Sequence, residues 1–120
     1  MTRKASGAGA GGLEQRVTVQ RPEVDVDDSG EASVVRWIEV ATVWAEIKPL
    51  SGREWLASAE FRPGVTTRIR IRWLEGVNAS MRVLHGATVY GIDAILPHYL
   101  GRPEILLMCG DGVVTEGGQP

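Results

Sequence analysis

The stretch Thr67-Arg68-Ile69-Arg70-Ile71-Arg72-Trp73-Leu74 alternates charged and apolar side chains with a period of two. Successive side chains of a β-strand point to opposite faces. Ile69, Ile71 and Trp73 therefore share one face, and Arg68, Arg70 and Arg72 share the other. The same period recurs on both sides. Upstream, Arg16-Val17-Thr18-Val19-Gln20-Arg21 sets valines against polar groups, and Val34–Ile38 and Thr42–Ile47 are β-rich runs readable as one strand kinked at Glu39–Ala41. Downstream, Met81–Leu84 and Ala87–Ile92 flank His85-Gly86, a two-residue loop that asks for positive φ. Ile105–Cys109 is a last apolar strand, reached through the turn-rich segment His98–Pro103.

One helix is expected. Ser51-Gly52-Arg53-Glu54 matches a capping box, in which the Ser51 hydroxyl accepts from the Glu54 N–H and the Glu54 carboxylate reaches back to the Ser51 N–H. Trp55, Leu56 and Ala59 then share a face at helical spacing, and Pro63-Gly64 ends the element. The predicted fold is mainly β: a small antiparallel β-barrel or sandwich of about six strands, with one short helix in an inserted loop. Closure keeps strand edges from being exposed.

The chain has 120 residues, enough for one core. Of its 15 glycines, eight lie at the ends. Residues 1–12 and 110–120 therefore read as flexible tails around a folded domain of residues 13–109. No apolar run approaches the roughly 20 residues of a membrane span, and no hydrophobic segment follows the two N-terminal bases as a secretory signal would require.

Chemistry-bearing patterns are sparse. Cys109 is the single cysteine and sits in an apolar strand, so it reads as an inert core thiol. His85 and His98 fit turn positions and show no partner that would make either a general base. Asp25-x-Asp27-x-Ser29-Gly30 imitates the start of a calcium loop, but Arg36 stands where a bidentate Glu is required. No catalytic residue, metal site or cofactor is expected, and the chain reads as a non-enzyme.

The charge is unevenly placed although the net is only −2. Residues 23–31 carry Glu23, Asp25, Asp27, Asp28 and Glu31 with no base. Residues 48–72 carry six bases against Glu54 and Glu60. Opposite patches on one small domain suit head-to-tail association between copies. The subunit or channel interface candidates are Asp25, Asp27, Asp28 and Glu31 in the acidic loop, Arg53, Glu54 and Trp55 at the helix start, and Arg68, Arg70 and Arg72 on the strand. The plainer alternative is a solvated or internally paired set of charges. The four tryptophans, Trp37, Trp44, Trp55 and Trp73, read as core or interface anchors.

From Arg16-Val17-Thr18-Val19-Gln20-Arg21-Pro22 and the acidic hairpin after it, a longer pattern unfolds. It runs through Trp37, Val43-Trp44-Ala45-Glu46 and Pro49-Leu50-Ser51-Gly52-Arg53-Glu54. It continues through Thr67–Arg72, Met81-Arg82-Val83, the short glycine turn and Val89-Tyr90-Gly91-Ile92. In order and spacing this pattern resembles the phage head–tail joining proteins, also called head-completion or stopper proteins of long-tailed phages. The Gly/Ala-rich front, His85 where the family often has Asp or Asn, and the longer C-terminal tail depart from the pattern. The resemblance implies a small β-barrel with a helix-bearing insertion, assembled as a homo-oligomeric ring at the portal vertex of the virion inside the bacterial host cytoplasm. It implies partners on both sides: a portal or adaptor protein toward the head, and a tail terminator or tail tube protein toward the tail. DNA would pass through the ring without sequence-specific binding and be retained there. Prophages and gene-transfer particles carry similar proteins. Two alternatives stay open: a small β-barrel that binds nucleic acid through Arg68, Arg70 and Arg72, and a tail-completion factor.

Overall fold

A computed structural model describes residues 12–53, 64–99, 103–110 and 113–114. Seven strands account for most of them: β1 (Gln15–Val26), β2 (Ala32–Pro49), β3 (Thr67–Arg72), β4 (Arg82–His85), β5 (Thr88–Tyr99), β6 (Pro103–Cys109) and β7 (Val113–Val114). All pairings are antiparallel. The sheet order is β4-β1-β2-β3-β6-β5-β7, and β4 also pairs with β5. Six strands thus close on themselves, so the sheet is a ring with β7 attached to β5 outside it. Its interior faces are the apolar halves of the alternating strands. Val17, Val19, Ala45, Ile69, Ile71, Val83, Ile92, Ile105, Leu107 and Cys109 form one buried cluster. The residues that alternate with them, such as Thr18, Arg68 and Arg70, face the outer wall, as the period of two requires.

The two β-rich runs predicted after residue 33 are one strand. The register against β1 shifts between Val19 and Gln20, whose partners are Ala41 and Glu39. Val40 is therefore an extra residue, a bulge at the site of the expected kink. The β4–β5 turn is displaced by one residue from its predicted position. His85 pairs with Thr88, which leaves Gly86 and Ala87 as the loop, with Gly86 at φ +60°. Strand β5 runs on to Tyr99, through Pro97 and into the segment read as turns. Proline is tolerated there because β4 covers β5 only at residues 88–91, so Pro97 lies on an open edge.

Of the expected helix, Gly52 and Arg53 have helical backbone. The remainder, including Glu54 and Trp55, lies outside the described residues. Strand β7 falls within the segment read as the C-terminal tail, and it pairs with Thr88 and Val89.

Beyond the ring, β1 and β2 continue as a two-stranded arm. Strand β4 accompanies β1 only at Thr18–Gln20, and β3 accompanies β2 only at Ala45–Pro49. Residues 21–26 and 32–38 therefore pair with each other alone. The chain measures 54 × 34 × 28 Å along its principal axes.

Candidate interaction surface

The arm is amphipathic. Val24 pairs with Val34, Val26 with Ala32 and Pro22 with Trp37, while Val35 is an extra residue where the register shifts between Glu23 and Val24. Directly opposed residues share a face. Pro22, Val24, Val26, Ala32, Val34 and Trp37 therefore line one side, and Arg21, Glu23, Asp25, Ser33 and Arg36 the other, with the half-buried Ile38 opposite Arg21 at its root. The valines are open to solvent: Val24 is 51% exposed, Val26 59% and Val34 48%. On the polar side Arg36 and Glu23 form an ion pair across the two strands.

The tip of the arm holds the acidic residues. Asp27 organises the turn: its Oδ1 accepts from the Ser29 N–H at 3.0 Å, the Ser29 hydroxyl at 2.7 Å and the Glu31 N–H at 2.9 Å. The hydrogen bond from the Ser29 side chain, then that from the Glu31 backbone, holds the Asp27 carboxyl below its ordinary range. Asp25 accepts from the Val26 N–H at 3.1 Å. Gly30, at φ +88°, completes the reversal with a left-handed backbone that a Cβ would strain. Asp28 and Glu31 are exposed.

At the root of the arm the arrangement changes. Arg82 lies across from Gln20 on β1 and from Gly91 on β5. Its Nε donates to Gln20 Oε1 at 2.7 Å, and its guanidinium stacks 4.1 Å over the Trp37 ring. Arg82 is only 8% exposed, and its Nη2 is buried without a hydrogen-bond partner. No carboxylate forms an ion pair with it among the described residues. Burial pushes its pKa down.

The arginine stripe of β3 is divided. Arg70 is held within the chain: its Nη1 donates to Glu104 Oε1 at 2.9 Å, and its Nε to Glu46 Oε1 at 3.1 Å. Lys48 lies 3.5 Å from Glu46. The cluster sits on the outer wall of β2, β3 and β6, and Glu104 is only 4% exposed. Burial opposes the charge on Arg70, but its hydrogen bonds to the Glu46 and Glu104 carboxylates outweigh it and its pKa rises. Gly12 rests on the same cluster at φ +90°, where a Cβ would stand 3.2 Å from Arg70 Nη2 and 3.2 Å from Glu46 Oε2. Arg72 and Arg53 are exposed, and Arg68 is partly buried. A groove of about 340 Å³ beside the cluster is lined by Gly12, Glu14, Gln15, Glu46, Ile47 and Lys48. Among the described residues no group of three or more His, Cys, Asp and Glu is placed to hold a metal ion. None of the described helices is long and apolar enough to cross a membrane.

The cluster predicts an acid transition. Burial would raise the Glu46 carboxyl, but Arg70, then Lys48, carry it below 4.5. A carboxylate depressed in the folded state contributes stability that is fully present above 4.5. That contribution is lost as the pH falls through the lower folded value. Urea midpoints should therefore hold steady above this range and drop below it, and Glu46→Gln should flatten the drop. An unchanged acid limb in Glu46→Gln would show that Glu46 does not report on the cluster.

Cys109 is buried within the ring, and burial, then the Asp93 charge, pushes its thiol up to about 12. It is a core side chain with little thiolate character.

Comparison with known proteins adds an independent line. The sequence profile described as phage head completion protein matches residues 9–112. A search of curated proteins found no match. Among solved structures, the solution structure of protein SF1141 from Shigella flexneri 2a is similar at 28% identity and TM-score 0.65, over 82% of this chain and 92% of that one. A chain from the virion of a native gene transfer agent particle is similar in fold at 19% identity and TM-score 0.59, over 86% of this chain and 97% of that one.

Proposed function

The chain belongs to the phage head completion protein family, and from that premise we propose that it is a structural piece of the virion neck, working by shape and surface complementarity rather than by catalysis. It assembles as a ring of identical copies at the portal vertex. The head side of the ring meets the portal or adaptor, and the tail side docks the tail terminator or tail tube. The packaged DNA is retained behind it. The observation that carries this reading is the family match over residues 9–112, which takes in all six strands of the closed ring. The surface agrees with it. Arg70 is committed inside the chain, and the tip of the β1–β2 arm is acidic. A channel that passes DNA must avoid gripping phosphates, because a strongly basic wall would bind them with release of many counterions. The same commitment of Arg70 argues against a nucleic-acid-binding module that reads phosphates through Arg68, Arg70 and Arg72.

Electron microscopy of particles made without this gene tests the proposal. Heads, filled or emptied of DNA, that carry no tails are the expected product. Normally tailed, infectious particles would end the reading.

A further inference from the structure

Two features of the arm are incomplete in the single chain, and each supplies what the other lacks. At its root, Arg82 is a guanidinium more than nine-tenths buried, and among the described residues its Nη2 has no partner and no carboxylate pairs with it. A buried cation without a counter-charge is costly, and the cost falls when a carboxylate is brought to it. Beside it, Gly91 leaves open space: a Cβ built there meets nothing within 4 Å. From this root the apolar side of the arm runs outward, with Val24, Val26 and Val34 exposed. At the tip of the same arm, Asp28 and Glu31 are exposed carboxylates on a rigid turn whose geometry Asp27 has fixed.

We infer that the acidic arm tip of one copy docks on the arm root of the next copy, where Asp28 or Glu31 meets the Arg82–Trp37 pair and the approaching arm covers the exposed valines. The occupant is a second copy of this chain, and charge complementarity selects it. The contact joins different surfaces on the two copies, so each copy offers one tip and one root. Such heterologous contacts propagate in one direction and form a ring when the rotation closes. The inference rests on the proposed ring and names the contact that would build it. Like charges at the tips disfavour tip-to-tip pairing, which gives the association its polarity.

Cysteine trapping tests this on the full chain. Ser29→Cys places a thiol on the tip, and Gly91→Cys places one beside Arg82. The native Cys109 is buried and stays silent. The two single variants are mixed in equal amounts at high concentration under mild oxidation. At low salt, mixed dimers should outnumber the two homodimers together by about tenfold, where random pairing would give equal amounts. Asp28→Lys with Glu31→Lys in the Ser29→Cys chain should return the yield to the statistical level, and Arg82→Glu in the Gly91→Cys chain should restore it. If Arg82→Glu fails to fold by circular dichroism, loss of trapping with the tip variants alone and its decline at high salt carry the test. A statistical yield with unmodified charges overturns the docking contact. So does a yield indifferent to the tip charges. Either result leaves the head-completion role standing, because that role falls only with the gene-deletion particles.

Discussion

Replacing Arg70 with methionine should lower the unfolding free energy by about 3 kcal/mol, the low end of what removing one partner of a buried ion pair costs. The substitution keeps most of the side-chain volume and removes the charge between Glu46 and Glu104. Glu104 is then left nearly fully buried and without its ion-pair partner. Glu46 suffers less, because Lys48 remains 3.5 Å away and its side chain is one-fifth exposed. A drop of that size shifts the midpoint of thermal unfolding by about 10–20 °C in a domain of this size. Adding Glu104→Gln should recover part of the loss, because an amide tolerates burial better than an unpaired carboxylate. If Arg70→Met costs less than about 1 kcal/mol, the cluster behaves as an ordinary surface pair.

Leu107→Ala should cost about 3–5 kcal/mol. Leu107 sits at the centre of β6, opposite Ile69 on one side and Ile95 on the other, and is fully buried in the ring. A six-stranded ring has a narrow interior, and strands tied to neighbours on both sides cannot collapse into a cavity easily. Leu107→Met nearly conserves volume and should cost less than about 1.5 kcal/mol. Urea unfolding of the two variants measures the difference. Similar midpoints for both would mean the interior is not packed around this residue. With a total stability of about 5–15 kcal/mol for a domain of this kind, Leu107→Ala leaves little margin at 37 °C.

The ring was largely legible in the sequence because its strands obey a local rule. Arg68 through Arg72 and Arg16 through Arg21 alternate strictly, and burial of Val17, Val19, Ile69 and Ile71 follows directly. The arm was less legible. Pro22 and the acids after it read as a loop, because proline and clustered charge usually mark one. They persist in a strand because the arm has no third strand to demand the proline N–H. The segment His98–Pro103 misled in the same way: it read as turns, and β5 runs into it as far as Tyr99. The charge clusters could not be found by spacing at all. Arg70 meets Glu46 and Glu104, 24 and 34 positions away, through strand pairings that only the closed sheet creates. Arg82 looks like a solvent-facing residue of a short strand. It is buried because Gln20 and Trp37 arrive beside it from β1 and β2. The glycine turn was recognised but misplaced by one residue, since His85 and Ala87 are both plausible neighbours for Gly86.

The unequal lengths of the strands carry a mechanical consequence. The arm is the uninterrupted extension of β1 and β2, and both strands run on into the ring wall. There β1 is laced to β4 by three residue pairs and β2 to β3 by five. Ladder hydrogen bonds lie perpendicular to the strands, so a tug on the tip along the arm's axis shears these rungs together and does not peel them one at a time. Tension applied at the hairpin end is thereby spread over both flanks of the cylinder, as a tent pole spreads wind load into the canvas seams.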